Sequence, residues 1–351
     1  MEDTPMEGML LQLLVAGVTL LSGLLSLGAT GDVDNFKIYH EEAYTGMSET
    51  ITRNLAAFNA ASQGAITLTS MRRRGNFDKN SFVTRMSGLV SRRDNTDSTT
   101  NATAIAMAQD ENIAVKLNRL YGPVEVTLDA FKKIAPNADA QREASEAYGA
   151  QLGDAIMQDW LDSSLRAVEA CLDKSTNTEH DASDGTLATS DLVTGLSKAG
   201  DQFGQIVAWV MHSKVYFDLL NNQITNAIYR ANGTRIVDGV PATLDRPVIV
   251  TDSPVLLSAA SPDNYVTMGL QRGAVSAVES EERTMVTDIV TGKLNIILRL
   301  QGEGAFNVGV KGFKYSSATA NPTDANLNNS SNWTQTAASH KATAGVRILS
   351  R

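Results

Sequence analysis

The chain has 351 residues, 42 % of them hydrophobic and 20 % charged, which suits one large globular domain or two interleaved ones with a substantial core. A formal net charge of −9 and a pI near 5.0 exclude a protein built mainly to grip nucleic acid, because phosphate binding needs a surplus of Lys and Arg. The lone Cys171 excludes an intrachain disulfide and a thiolate zinc site and points to a reducing compartment; lying between Ala170 and Leu172 on a helical pattern, it reads as a core residue rather than a nucleophile.

Met9 to Leu27 is a 19-residue apolar stretch, just long enough to cross a bilayer and equally readable as the core of a signal peptide. Its flanks argue against both. Glu2, Asp3 and Glu7 precede it, no Lys or Arg appears before Lys37, and Gln12, Ser22, Gly23 and Ser26 dilute it. The better reading is an N-terminal arm that hides its apolar surface against other subunits. A membrane-anchored or exported binding protein is the alternative. Phe36 to Ala60 then reads as helix, with Tyr44, Met47, Ile51, Leu55 and Phe58 at steps of three or four.

Beyond this helix the period changes. Ala65 to Thr69 and Ser81 to Met86 read as two strands, so residues 61–99 are expected to form one long hairpin whose polar tip is Arg72 to Lys79. Positive charge gathers here in an acidic chain: Arg72, Arg73, Arg74, Lys79, Arg85, Arg92 and Arg93, against Asp78. Three readings compete: a solvated surface, salt bridges to acidic patches on a neighbouring copy, and nucleic-acid contact with Phe77 and Phe82 stacking on bases. A two-stranded ribbon is marginal alone and needs something to rest on.

Asp94 to Ala106 is a polar, threonine-rich connector. Strands are expected at Ile113, Val115 and Leu117 and again at Val124, Val126 and Leu128, across Tyr121-Gly122-Pro123. Asn137 to Leu172 is the longest helical pattern, with Tyr148, Leu152, Ile156, Leu161, Leu165, Val168 and Leu172 on one stripe and Gly149 and Gly153 weakening it locally. Asp173 to Asp191 is polar, hence a loop and a domain boundary. Leu192, Leu196, Ala199 and Phe203 then mark a helix capped by Thr189 or Ser190 and ended by Gly204. Ile206 to Met211 reads as a central strand buried on both faces, and Ser213 as the N-cap of a helix carrying Val215, Tyr216, Leu219 and Leu220. Asn232-Gly233 and Asp238-Gly239 mark turns. Short strands follow at Val248 to Val250, Tyr265 to Leu270, Leu294 to Leu300 and Ala305 to Phe313. Helices and strands mix without regular βαβ repetition, so the class is α+β.

No constellation of catalytic residues assembles. His40, His180, His212 and His340 include no helical zinc pair, and no H-E-x-x-H, G-x-S-x-G, P-loop or strand-following G-x-G-x-x-G is present. His180 lies among Glu179, Asp181 and Asp184, a weak cation site or a solvated loop. His212 at a strand end reads as a hydrogen-bonded structural histidine, with a catalytic base as the alternative. Glu279, Glu281 and Glu282 read as a solvated face. No catalytic, cofactor or metal site is expected.

Three stretches carry a resemblance. Ile206 to Gln223 (IVAWVMHSKVYFDLLNNQ), followed by Arg246 to Asp252 (RPVIVTD), resembles the middle of the major capsid proteins of tailed double-stranded DNA bacteriophages with the Hong Kong 97-type coat fold. Leu55 to Arg93 and Asn321 to His340 resemble a subgroup of them. No single motif is specific; their order and spacing are. The resemblance implies an N-terminal arm and helix over 1–60, an extended loop over 61–99, a peripheral domain over 100–185 with a spine helix at 137–172, an axial domain over 186–295, and a return to the peripheral domain with the tail over 296–351. Coat proteins of this kind usually begin nearer Asn35, so the apolar segment departs from the pattern.

It also implies a structural protein of the virion that self-assembles into hexamers and pentamers of an icosahedral shell in the bacterial cytoplasm. The shell would enclose double-stranded DNA without sequence-specific binding. Its partners would be its own copies, a scaffolding function, a portal and a decoration protein, with no membrane. Arg72, Arg73, Arg74, Lys79, Arg92 and Arg93 are the expected inter-subunit contacts, because the family's extended loop lies over an adjacent subunit. An encapsulin-like nanocompartment shell shares the fold and is the alternative.

Overall fold

The computed structural model describes residues 33–71, 73–84, 86, 88–97, 99–101, 104–134, 138–230, 243–258 and 264–351. The apolar stretch Met9 to Leu27, Arg72, Arg85 and the turns at Asn232-Gly233 and Asp238-Gly239 lie outside these residues. Among the described residues no helix is long and apolar enough to cross a membrane.

Helix α1 (Val33–Ala61) opens the described chain, followed by strands β1 (Ile66–Ser70), β2 (Phe77–Val83) and β3 (Gln109–Thr127). Helices α2 (Leu128–Ile134) and α3 (Ala138–Asp173) lead to β4 (Glu179–Ala182), α4 (Thr189–Lys198), β5 (Ile206–Met211) and α5 (Ser213–Arg230). The remainder is β6 (Val248–Val250), β7 (Leu257–Ser258), β8 (Asn264–Gln271), β9 (Val275–Val290), β10 (Ile297–Val310), β11 (Phe313–Tyr315), α6 (Asp324–Leu327), β12 (Trp333–Gln335) and β13 (Gly345–Ser350).

The chain divides into two compact units. One comprises the described parts of Met1–Ile51, Leu120–Ala155 and Thr284–Gly302; the other comprises Thr52–Arg119, Ile156–Arg283 and Glu303–Arg351. In the first, α1 and α3 touch backbone to backbone. A Cβ on Gly149 would lie 2.1 Å from the carbonyl oxygen of Ala43, and one on Gly46 would lie 2.6 Å from that of Glu146. The glycines that interrupt the apolar stripe of α3 are therefore what lets the helices approach, and Ala43, Met47 and Ile51 are buried beside them. Ion pairs of this unit include Arg142 to Glu42 at 3.7 Å, Lys133 to Asp129 at 2.6 Å and Arg299 to Glu125.

Three sheets lie wholly or mostly in the second unit: one of five strands, one of six, and the pair β11-β12. In the five-stranded sheet the order is β1-β9-β10-β3-β2. The expected hairpin between residues 65–69 and 81–86 does not form: β1 pairs in parallel with β9, β2 pairs antiparallel with β3, and the two stand at opposite edges. Asn59 covers the outer edge of β1, its Nδ2 donating to Leu68 O at 2.8 Å and its Oδ1 accepting from Leu68 N–H at 2.9 Å. On one face of the sheet Phe306 of β10 packs on Trp160 of α3, ring centroids 5.7 Å apart.

In the six-stranded sheet the order is β4-β13-β8-β5-β6, with β7 added on β8. Its core joins Leu192 and Leu196 of α4, Trp209 and Met211 of β5, Val215 and Leu219 of α5, and Val346 and Ile348 of β13. Strand β5 falls where its apolar run places it, between two neighbours and almost wholly buried.

Several expectations are corrected. Residues 173–191 contain an edge strand, β4, paired in parallel with β13. Helix α4 ends at Lys198, so Phe203 sits in a following 3₁₀ turn and is 54 % exposed. Neither Thr189 nor Ser190 caps α4; the Asp191 carboxylate accepts from Ala188 N–H at 2.9 Å instead. Ser213 is the first residue of α5, and the capping acceptor is His212 Nδ1, 3.2 Å from Lys214 N. The charges of strand β9 mask it in the sequence: Glu279 is buried and pairs with Arg283, while Glu281, which accepts from the buried Lys116 at 2.7 Å, and Glu282 are exposed as the solvated-face reading expects.

Candidate assembly surface

The chain's hairpin is β2–β3, one element later than the sequence suggests. Phe77 to Val83 pairs with Val115 to Gln109, and Thr84 N–H extends the ladder to Ala108 O at 2.9 Å. The polar, threonine-rich connector is thus the hairpin's tip rather than a link after it. The ladder is fixed along its length by the C-terminal tail. Lys314 Nζ donates to Asp110 Oδ1 at 2.6 Å, Thr336 Oγ1 donates to Asn112 Oδ1 at 3.0 Å, and the Phe77 ring stacks on Tyr315 at 6.5 Å. Asn118 N–H donates to Asn321 Oδ1 at 2.9 Å, and Trp333, fully buried, donates to Leu327 O. The tail segment that stood out in the sequence is therefore a clamp on the hairpin's root.

Beyond the ladder no described residue outside the tip covers the ribbon. Every described residue from Gly88 to Gln109 is exposed. Among them are Leu89, Val90, Ile105 and Met107, four apolar side chains on one tip, with Val90 93 % exposed. Apolar side chains gathered in one place mark an interaction site better than scattered ones do. Asp94 and Asp97 fold the tip back on itself: Asp94 Oδ1 accepts from Thr96, and Asp97 Oδ1 from Thr99 and Thr100. These hydrogen bonds, from threonine hydroxyls and backbone N–H groups, hold both carboxyls below the usual carboxylate range.

The predicted basic residues separate into two groups. Arg73 lies 3.4 Å from Asp78, with its backbone N–H on Ser280 O, and Lys79 lies 3.7 Å from Glu111. Both cations are thus engaged within their own chain. Arg74, Arg92 and Arg93 are exposed and form no ion pair among the described residues. Arg92 and Arg93 sit on the tip beside Leu89 and Val90; β2, roughly 20 Å long at 3.3 Å per residue, separates them from Arg73 and Arg74 along the chain. Phe77, stacked on Tyr315, is not presented to a base.

The strongest buried charge escaped the sequence reading. Arg347 on β13, its side chain 8 % exposed, lies 2.9 Å from Glu169, 2.6 Å from Asp173 and 2.6 Å from Glu179. Burial pushes the Glu169 carboxyl up, and Arg347 only partly offsets it. A lone arginine inside the apolar run Val346 to Leu349 was the available signal. Glu179 is thereby committed to Arg347, His180 to Asp191 at 3.5 Å, and Asp181 to Ser183 N–H at 3.0 Å. Among the described residues no three His, Cys, Asp or Glu side chains converge to hold a metal ion. Cys171 is fully buried and its thiol pKa is raised well above the ordinary value by burial.

A family model described as major capsid protein 13-like matches residues 35–347. No curated protein sequence matches the chain. Among solved structures the chain is similar to the capsid of cyanophage P-SCSP1u, at 16 % identity over 71 % of this chain and 84 % of that one, TM-score 0.44. It is also similar to a structure from Mycobacterium phage Bobi (12 % identity, 83 % and 90 % covered, TM-score 0.49) and to the capsid of Myoviridae phage XM1 (12 %, 82 % and 90 %, TM-score 0.48). No residue role is carried across likenesses this distant.

Proposed function

Because the chain belongs to the major capsid protein 13-like family, we propose that its copies associate as hexamers and pentamers into an icosahedral shell around double-stranded DNA. It is a structural protein of the virion and a major capsid protein. It turns over no substrate. In this reading 61–99 with the following tip is the extended loop, the first long helix and α3 belong to a peripheral domain, and the six-stranded sheet forms the axial domain. A scaffolding function that guides curvature, a portal at one vertex and a decoration protein are the further partners.

The observation that carries the reading is the β2–β3 ribbon: clamped at its root, uncovered at its tip, and tipped with Leu89, Val90, Ile105, Met107, Arg92 and Arg93. A ribbon with apolar and cationic groups on its tip and no core of its own is stabilised by resting on another copy. Arg72, Arg74, Arg92 and Arg93 face acidic patches of that neighbour, while Arg73 and Lys79 contribute through the ion pairs that stiffen the ribbon. Each contact is modest, and closure of a shell adds many of them. Electron microscopy of the purified full chain tests this: closed shells are expected, and a chain that stays monomeric at high concentration overturns it.

A further inference from the structure

The five-stranded sheet has a second face, turned away from α3. Phe306 faces the helix, so Asn307 and Gly309 flank the opposite side by strand alternation. A cavity of about 320 Å³ opens there, floored by Asn112, Ser276, Asn307 and Gly309 and bounded by Arg73 and Lys311. That is the lower end of ligand-sized cavities, roughly 300–1,000 Å³. Asn307 is 2 % exposed, yet neither its Oδ1 nor its Nδ2 has a hydrogen-bond partner among the described residues. Leaving both ends of a buried amide unpaired is costly, and such a group points to an occupant.

An amide with a free donor and a free acceptor is the complement of a peptide group. This chain makes that pairing elsewhere, where Asn59 forks onto Leu68. The rim supplies charge as well. Arg73 lies 3.4 Å from Asp78 on the same rim, an approach in which its buried Nε makes no hydrogen bond, and Lys311 reaches Gln271 Oε1 at 3.0 Å.

We propose that this cavity receives the acidic turns at Asp94 and Asp97 from the hairpin tip of a second copy of this chain, Asn307 forking onto a peptide group of the turn while the carboxylates meet Arg73 and Lys311. The inference rests on the shell reading above and names the surface on which the tip lies. Size and charge agree. The turns are built of Asp, Asn, Ser and Thr, small enough for a floor lined by Ser276 and Gly309, and their charge is opposite to the net charge of a rim on which Arg73 and Lys311 outnumber Asp78. Asp97 spends only Oδ1 on its own turn. The lowered pKa of both carboxyls keeps them anionic to a lower pH than an ordinary aspartate. In its own chain the tip is exposed and lines no part of this cavity, so the occupant comes from another copy.

The test is zero-length carbodiimide crosslinking of assembled full-length protein, mixed from ¹⁴N- and ¹⁵N-labelled stocks, read by mass spectrometry. An isotopically mixed peptide joining Lys311 to Asp94 or Asp97 is expected, and in Asn307→Leu its yield falls. Because that variant alters a buried site, the exposed double variant Asp94→Asn, Asp97→Asn is measured beside it, and it raises the concentration for half-assembly by about tenfold. Closed shells lacking this crosslink overturn the inference and leave the shell reading standing. An unchanged assembly midpoint in the double variant overturns it too. Failure of the chain to form any multimer overturns the shell reading, and this inference with it.

Discussion

The six-stranded sheet and the β2–β3 hairpin belong to one chain and one compact unit, yet they treat charge and apolar surface in opposite ways. The sheet buries Trp209, Met211, Leu219 and Ile348 in a shared core and surrounds its buried cation, Arg347, with three carboxylates. The hairpin tip exposes Leu89, Val90, Ile105 and Met107 and leaves Arg92 and Arg93 without ion pairs among the described residues. The first region is stabilised by its own chain. The second is complete only when something outside the chain covers it. A capsid subunit needs both: a body that folds before assembly, and a reach whose contacts form only during it.

The contrast is sharpest in what substitutions cost the isolated subunit. The largest effect is expected at Arg347. Arg347→Met leaves Glu169, Asp173 and Glu179 facing each other around an apolar side chain, and removing one partner of a buried ion network costs about 3–5 kcal/mol. Denaturant unfolding of the monomer measures it; a loss no larger than at a surface site would show that water already screens the network. Gly269→Ala comes next. Its Cβ would lie 2.6 Å from the Trp209 ring and 2.9 Å from Val346 Cγ2, so the packed face must shift, at about 1–3 kcal/mol by the same measurement.

How much of this was legible in the sequence follows the same division. Helices α1 and α3 and strand β5 appear with ends within a few residues of those expected, because apolar spacing alone determines them. The sheet edges were not legible. β1 and β2 both exist, but their partners are β9 and β3, and pairing between distant segments leaves no local mark. β9 and β4 are strands rich in charged residues whose partners are Lys116, Arg283 and Arg347, so composition makes them look like loop or surface. At the candidate site, the basic residues were legible as a group but not their division. Whether a given arginine meets its own carboxylate, as Arg73 meets Asp78, or faces out, as Arg92 does, is decided by strand register. The apolar half of the tip was overlooked because its four residues lie on both sides of a polar run.

Acidification separates the two regions by sign, with effects smaller than either substitution. Burial raises the folded-state pKa of Glu169, so between its ordinary pKa and the raised value the folded chain holds a proton that the unfolded chain releases. Stability from this group therefore increases as pH falls through the raised value and levels off below the ordinary one. On the hairpin ladder, where Asp110 stands opposite Phe82, the sense reverses. The Lys314 hydrogen bond and the N–H of Glu111 lower the pKa of Asp110, so its contribution is present above the ordinary carboxylate pKa and is lost as pH falls through the lowered value. Unfolding curves from neutral to acid pH should lose the first slope in Glu169→Gln and the second in Asp110→Asn; matching slopes in both variants would break the distinction.

The smallest effect on folding is expected at the hairpin tip, and that is where the comparison is most exposed to refutation. Leu89→Ser with Val90→Ser removes apolar groups that touch little in their own chain, and Arg92→Glu with Arg93→Glu reverses charges that pair with nothing described. Surface changes of this kind move stability by no more than about ±0.5 kcal/mol. Their effect appears in assembly, where the same groups lose their cover on a neighbour. Monomers should unfold as the parent does while shell yield by electron microscopy collapses. The ladder supplies the control: Lys314→Ala frees the clamp on Asp110, so it should loosen the ribbon and lower assembly together with some monomer stability. If the tip variants instead destabilise the monomer and leave shells intact, the tip is packed against its own chain in solution, and the division between a self-sufficient body and a partner-dependent reach fails at its most exposed point.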